Sequence, residues 1–114
     1  MIVGMLRIPL ASNRHAEVLE VLRSVKGPVL AQPGCKAYHI YDEQGQDPAV
    51  VLVERWESRA TLEAHIRSDI YRRILGAIEL AGAPPEMSFE VVSAREGMEL
   101  VERLRRLGGS GKAR

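Results

Sequence analysis

A chain of 114 residues is long enough for one compact core and too short for two independent ones. Hydrophobic residues make up 46% of it, yet no apolar run approaches the ~18 to 20 residues of a membrane span, so a soluble protein is expected. The 16 basic and 15 acidic residues are interspersed and leave a net charge of +1, which excludes a broad field for nucleic acid or anionic lipid.

The segment from Met1 to Leu6 is apolar but short, lacks a basic leader and runs into Arg7 without a small-residue cleavage site; cytoplasm is the expected location. Ile2 to Ile8 reads as a first strand ended by Pro9, which offers no ladder donor. Ser12 or Asn13 is placed to cap a helix in which Val18, Leu19, Val21, Leu22 and Val25 share one face and Glu17, Glu20, Arg23 and Lys26 the other. Gly27-Pro28 interrupts that helix, Val29 to Gln32 continues as a last turn, and Pro33-Gly34 turns the chain into a second strand, Cys35 to Tyr41. Cys35 is the lone cysteine, so neither a disulfide nor a cysteine zinc cluster can form, and it reads as a small semi-buried residue.

Asp42 to Pro48 is a polar hairpin loop, and Ala49 to Trp56, rich in valine, is a third strand. Ser58 caps the next helix, which carries Leu62, His65 and Ile66 and breaks near Ser68-Asp69, where Asp69 is placed to cap a following piece bearing Tyr71, Ile74, Leu75 and Ile78. That piece stops near Gly82 before Ala83-Pro84-Pro85. Met87 to Ala94 is a fourth strand, Gly97 to Leu107 an amphipathic helix, and 108–114 a tail expected to be disordered.

The order β-α-β-β-α-β with an extra C-terminal helix predicts an α+β, ferredoxin-like domain over residues 1–96, with a four-stranded antiparallel sheet. Both helices of such a fold cover one sheet face. Strands one and three are nevertheless apolar on both faces: Ile2, Leu6 and Ile8 against Val3 and Met5, and Val51 and Val53 against Val50 and Leu52. A wet face would alternate apolar and polar residues, so a second copy of the chain is expected to cover it. The competing reading folds the C-terminal helix over the open face.

With this element order and the segment VERWESRATLEAHIRSDIYRRI in place, the chain resembles the antibiotic biosynthesis monooxygenase domain family, the dimeric α+β barrels. The recognisable parts are Glu54, Trp56 and Ser58 at the strand-to-helix junction, Leu62 and His65 on the helix, Ser68-Asp69 after it, and Pro33-Gly34-Cys35 before strand two. The resemblance covers roughly Ile2 to Val92. It implies a homodimer with a pocket between sheet and helices in each protomer, and oxygenation of a small quinol or polyphenol without metal, flavin or haem. One branch of the family degrades haem through a helix histidine and a strand-one asparagine. Here Leu75 falls at that histidine, His65 at an upstream tryptophan and Arg7 at the asparagine, so haem breakdown is not implied and no cofactor is assigned.

Oxygenation without a cofactor needs a base and a dry pocket, because a phenolate reduces dioxygen far more readily than a phenol. If strands one and three run side by side in the same direction, Arg7, Glu54, Arg55 and Trp56 gather at one end of the sheet. His65 then takes the phenolic proton, Arg7 holds the anion, Glu54 completes the catalytic set, and Trp56 and Tyr71 give flat walls for an aromatic ring. His39 and Tyr41 share one strand face and Tyr38 the other; His39 and Tyr38 are both candidates for the pocket lining. Each residue has a plainer role open to it: His65 as a packed histidine, Trp56 as a core plug, Arg7 and Glu54 as a cross-strand ion pair. A non-oxidative isomerase and a non-catalytic binding dimer stand as competing functions.

Overall fold

The computed structural model describes residues 1–11 and 13–111, so the expected cap at Ser12 lies outside the described residues. The elements are β1 (Ile2–Pro9), α1 (His15–Ser24), α2 (Lys26–Leu30), β2 (Cys35–Glu43), β3 (Ala49–Trp56), α3 (Arg59–Arg67), α4 (Asp69–Ala81), β4 (Glu86–Val91) and α5 (Met98–Gly111). The α+β, ferredoxin-like order is as expected, with each of its two crossover helices broken into two pieces.

Local chemistry explains the breaks. α1 starts after Arg14 with no side-chain cap and ends at Val25, two residues ahead of Gly27. Gly27 and Pro28 then sit inside the first turn of α2. A proline is harmless there, because the first amides of a helix have no intrahelical acceptor anyway. α3 begins in a capping box: Ser58 Oγ accepts from Thr61 N at 3.2 Å and Thr61 Oγ1 accepts from Ser58 N at 3.2 Å. α3 and α4 separate at Ser68, which is extended at φ −76° and ψ 159°. Ser68, not Asp69, is the residue ahead of α4; Asp69 lies in the first turn, where its charge suits the helix dipole. Gly82, at φ 74°, closes α4 in the left-handed conformation.

The sheet order is β2-β3-β1-β4 and every neighbouring pair is antiparallel. The antiparallel register corrects the same-direction placement of strands one and three: Ile2 lies opposite Trp56, Gly4 opposite Glu54, and Arg7 opposite Val51. Arg7 and Glu54 are therefore three register steps apart, roughly 10 Å along the strand, and the odd offset sends their side chains to opposite faces.

On the covered face, Ile2, Leu6, Ile8, Tyr38, Val50, Leu52 and Trp56 are buried against Val18, Leu22, Val25, Val29, Leu62 and Ile74 of the helices. The other face presents Val3, Met5, Val51 and Val53 with Arg7, Arg55, His39 and Tyr41; Met5 is 46% and Tyr41 54% exposed. The helices thus leave this face open, and α5 does not fold over it. α5 runs on to Gly111, past the expected end at Leu107 and into the segment read as a tail, with Met98, Val101 and Leu104 exposed. Residues 112–114 of that expected tail lie outside the described residues.

The turn before β2 joins the two halves of the covered face. Gly34 takes φ 82°, its carbonyl accepts from Glu57 N at 2.8 Å, and a Cβ added there would stand 2.5 Å from Thr61 Cβ. Only glycine meets both demands. Gly34→Ala is expected to lower stability by about 2 kcal/mol or more, through left-handed strain and overlap with the capping residue, read as a lower urea midpoint with unchanged slope.

Candidate active site

β3 alternates its side chains, so Glu54 and Trp56 both point from the sheet toward the helices. The Ser58 cap starts α3 at a fixed point, and His65, two turns later, comes down onto them. His65 stacks on Trp56 with ring centroids 4.4 Å apart and an interplanar angle of 26°. Its Nε2 lies 3.2 Å from Glu54 Oε2. Tyr71, from the first turn of α4, meets the same imidazole edge-on at 5.2 Å.

Glu54 is 5% and His65 1% exposed, which makes them the buried polar pair of the core. Buried charges are rare unless paired. Despite the short distance, Glu54 Oε2 and His65 Nε2 are out of line for a hydrogen bond, and neither finds another partner on the protein. The remaining polar atoms are tied down: Trp56 Nε1 donates to Glu54 Oε1 at 3.5 Å, and His65 Nδ1 lies 2.6 Å from Gln32 Oε1. Two buried polar atoms left without a hydrogen bond make this the candidate site of the domain.

Glu54 opens on a cleft between β1, β4 and α4, bounded by Gly4, Leu6, Leu52, Tyr71, Ile74, Met87 and Phe89. The cleft leaves about 10 Å³ for the centres of water-sized spheres, the room of a single water. Gly4 makes the narrow wall possible, since a Cβ there would sit 3.1 Å from the Phe89 ring. Met87 and Phe89 lie on the edge strand and are 41% and 43% exposed, so the cleft has a side-chain wall at the solvent boundary. His65 does not border this cleft. It borders a second hollow of about 200 Å³, lined by Gln32, Pro33, Ala60, Thr61 and Ala64.

The predicted site residues therefore divide. Glu54, His65, Trp56 and Tyr71 come together; Glu54 and Tyr71 touch the cleft, while Trp56, fully buried, is the plate under the imidazole. Arg7 does not join them. It is on the open face, donating to Glu43 Oε1 at 2.9 Å, Glu86 Oε2 at 2.8 Å and the Asp47 carbonyl at 2.9 Å, and those carboxylates hold its pKa above the usual arginine value. The expected Arg7–Glu54 pair is thus replaced by Arg7 with Glu43 and Glu86. His39 is on the open face beside Tyr41, ring centroids 6.1 Å apart. Tyr38 is on the covered face but 1% exposed, donating to the Leu22 carbonyl at 2.6 Å, and belongs to the core.

Sequence reading passed over Gln32, Met87 and Phe89. A glycine inside a strand, Gly4, was the one local signal of a close approach at this spot. Burial pushes the Cys35 thiol up, with the Glu54 charge adding to it, in keeping with an unreactive cysteine. Among the described residues there is no group of three His, Cys, Asp or Glu able to hold a metal ion, and no helix long and apolar enough to cross a membrane.

A four-stranded antiparallel sheet with paired helices on one face defines the class of domain as ferredoxin-like α+β. The chain belongs to the antibiotic biosynthesis monooxygenase family, whose model matches residues 1–77 and so includes both members of the couple. An uncharacterised protein of Synechocystis is 22% identical over 68 residues, 60% of this chain and 46% of that one; the chain spans about half the length of this relative. The fold is shared with a proposed antibiotic biosynthesis monooxygenase of Deinococcus radiodurans, at TM-score 0.76 and 11% identity over 85% of this chain and 97% of that one. A Mycobacterium tuberculosis protein superposes with TM-score 0.68 at 21% identity, over 84% and 98% of the two chains. A conserved Methanosarcina mazei protein gives 0.71 at 21%, over 78% and 89%.

Burial, and then the Glu54 charge, raise the Tyr38 phenol above its ordinary 10.0, and Tyr71 is raised by the same causes in the same order. Folding therefore holds these protons more tightly than the unfolded chain does. The stability they carry is complete below pH 10.0 and drains away as pH climbs beyond it. In urea titrations, the midpoint is expected to fall above that pH. Tyr38→Phe should flatten part of the fall while costing about 1 kcal/mol at neutral pH through the lost bond to Leu22.

Proposed function

We propose that the chain is a cofactor-independent monooxygenase of a small hydroquinone-like aromatic, with the cleft beside Glu54 as its site. The observation that carries this reading is the buried, unsatisfied Glu54–His65 couple opening on an apolar cleft. Glu54 is the group in contact with substrate, and His65 is the positioning residue behind it. An imidazolium at His65, in the last turn of α3 where helix carbonyls favour a cation, is the counter-charge 3.2 Å behind the Glu54 carboxylate. The carboxylate takes the phenolic proton, and the cation left behind offsets the phenolate, the task that Arg7 is too remote to perform. The phenolate then gives its electrons to dioxygen: hydroquinone and dioxygen yield a hydroxyquinone and water, with the substrate supplying every electron that dioxygen takes up.

Substrate entry requires Met87 and Phe89 to swing away from Tyr71 and Gly4, because the closed cleft accommodates one water. Tyr71 then supplies one wall, its hydroxyl released from the Met87 sulfur that it contacts at 3.7 Å. The open face pairs with a second copy: Val3, Met5, Val51 and Val53 form a central apolar strip, and a homodimer removes it from water. Light scattering is expected to give about twice 12.6 kDa for the wild type and a lighter particle for Met5→Glu; a wild-type monomer at micromolar concentration would overturn the pairing.

Oxygen-electrode measurements on metal-stripped protein are expected to show uptake with small hydroquinones. Glu54→Gln should lower kcat by roughly 100-fold or more, while urea unfolding checks that it remains folded. Uptake that survives this substitution removes Glu54 from the chemistry. Anaerobic turnover of the same compounds would instead make the site an isomerase, and binding without any turnover would make the chain a ligand-holding dimer.

A further inference from the structure

We infer that Gln32 is the positioning residue that fixes the tautomer of His65, so that one proton is left to be shared between Glu54 and His65. Gln32 Oε1 lies 2.6 Å from His65 Nδ1, and a carbonyl oxygen only accepts. Nδ1 must carry the hydrogen. In a neutral ring Nε2 is then a bare lone pair, 3.2 Å from a carboxylate oxygen in a core that both side chains share, and out of line with it. Two lone pairs in that position repel, with little solvent to weaken the repulsion. One further proton on either atom relieves it, giving an imidazolium with a carboxylate or an imidazole with a carboxylic acid. Both states are neutral overall, and they differ only in where the proton rests.

The fold delivers Gln32 for this task by a short route. It stands in the turn closed by Cys35 N on the Gln32 carbonyl at 3.2 Å, and Gly34 locks that turn to the start of α3. A hollow of about 200 Å³ beside this turn is bordered by both Gln32 and His65. The couple thereby lies between two recesses: Glu54 borders the cleft and His65 the hollow. Besides each other, the titratable groups that feel this couple are Cys35 and Tyr38 from β2 and Tyr71 from α4, each held neutral chiefly by burial and then by the Glu54 charge. None of them supplies a competing proton near neutrality.

The catalytic meaning of this device rests on the monooxygenase reading above, but its content is a tautomer and stands apart from turnover. The test is nitrogen-15 and proton NMR of the His65 ring from about pH 5 to 9, in the wild type, Gln32→Glu and Gln32→Met. The wild type and Gln32→Glu are expected to keep Nδ1 protonated throughout, with Gln32→Glu holding the imidazolium to higher pH. Gln32→Met removes the acceptor at similar length beside the hollow. It should let the ring adopt the Nε2–H tautomer and change the pH dependence of the ring signals. An unprotonated Nδ1 in the wild type, or a Gln32→Met spectrum and titration that match wild type, overturns the assignment. If Gln32→Met does not fold, the wild type and Gln32→Glu spectra decide alone. Where quinol turnover is measurable, the kcat pH profile should move with the NMR titration while KM holds. The expected tautomer without turnover in any variant would sink the oxygenase reading and leave Gln32 in its role.

Discussion

The interaction on which the rest depends is the approach of one carboxylate to one imidazole inside the core. Desolvating two ionisable groups costs several kcal/mol for each, a large share of the roughly 5 to 15 kcal/mol that holds a small domain together. Apolar side chains of similar volume would serve packing alone at least as well. The surrounding structure is organised to hold the couple: the capping box of Ser58 and Thr61 sets where α3 begins, the alternation of β3 aims Glu54 and Trp56 at that helix, and the Trp56 ring gives the imidazole a flat seat. The extended Ser68 then redirects the chain so that Tyr71 closes the remaining edge.

The sheet separates two kinds of chemistry by the parity of its strands. Even positions of β1 and β3 face the helices and form the dry core around the couple; their odd positions carry the apolar strip and the Arg7 ion pairs, beside the His39–Tyr41 rings of β2. The family match over residues 1–77 spans β1 and β3, the two strands that carry this division.

Much of this was legible from the chain itself. The valines of β3, the Ser58 cap, the break at Ser68 and the stop at Gly82 rest on local stereochemistry, which a sequence carries in full. The pairing of Glu54 with His65 was half legible: both were picked as chemistry-bearing residues, but His65 was assigned to Arg7's end of the sheet as the base. Strand direction decided that point. One wrong direction carries a long side chain along the sheet and through to its other face, so the anion-holding role fell to a residue engaged with Glu43 and Glu86. Gln32 was out of reach for a different reason, since it lies 33 positions before His65 in a turn and nothing in its neighbours marks it. Met87 and Phe89 read as ordinary strand residues, and only the register with Leu6 and Gly4 shows that they wall a cleft.

The bend at Val25 has a consequence for how such a protein can change over time. By parting α2 from α1, it lets Val29 anchor in the core beside Val18 and Leu22 while Gln32 stands in the turn beyond both helices. The group that governs the basicity of the buried ring therefore rides on a short, separately mounted piece. Replacing one amide there retunes the reactive centre and leaves the architectural timbers untouched, so divergence in reactivity need not pass through intermediates that fail to fold.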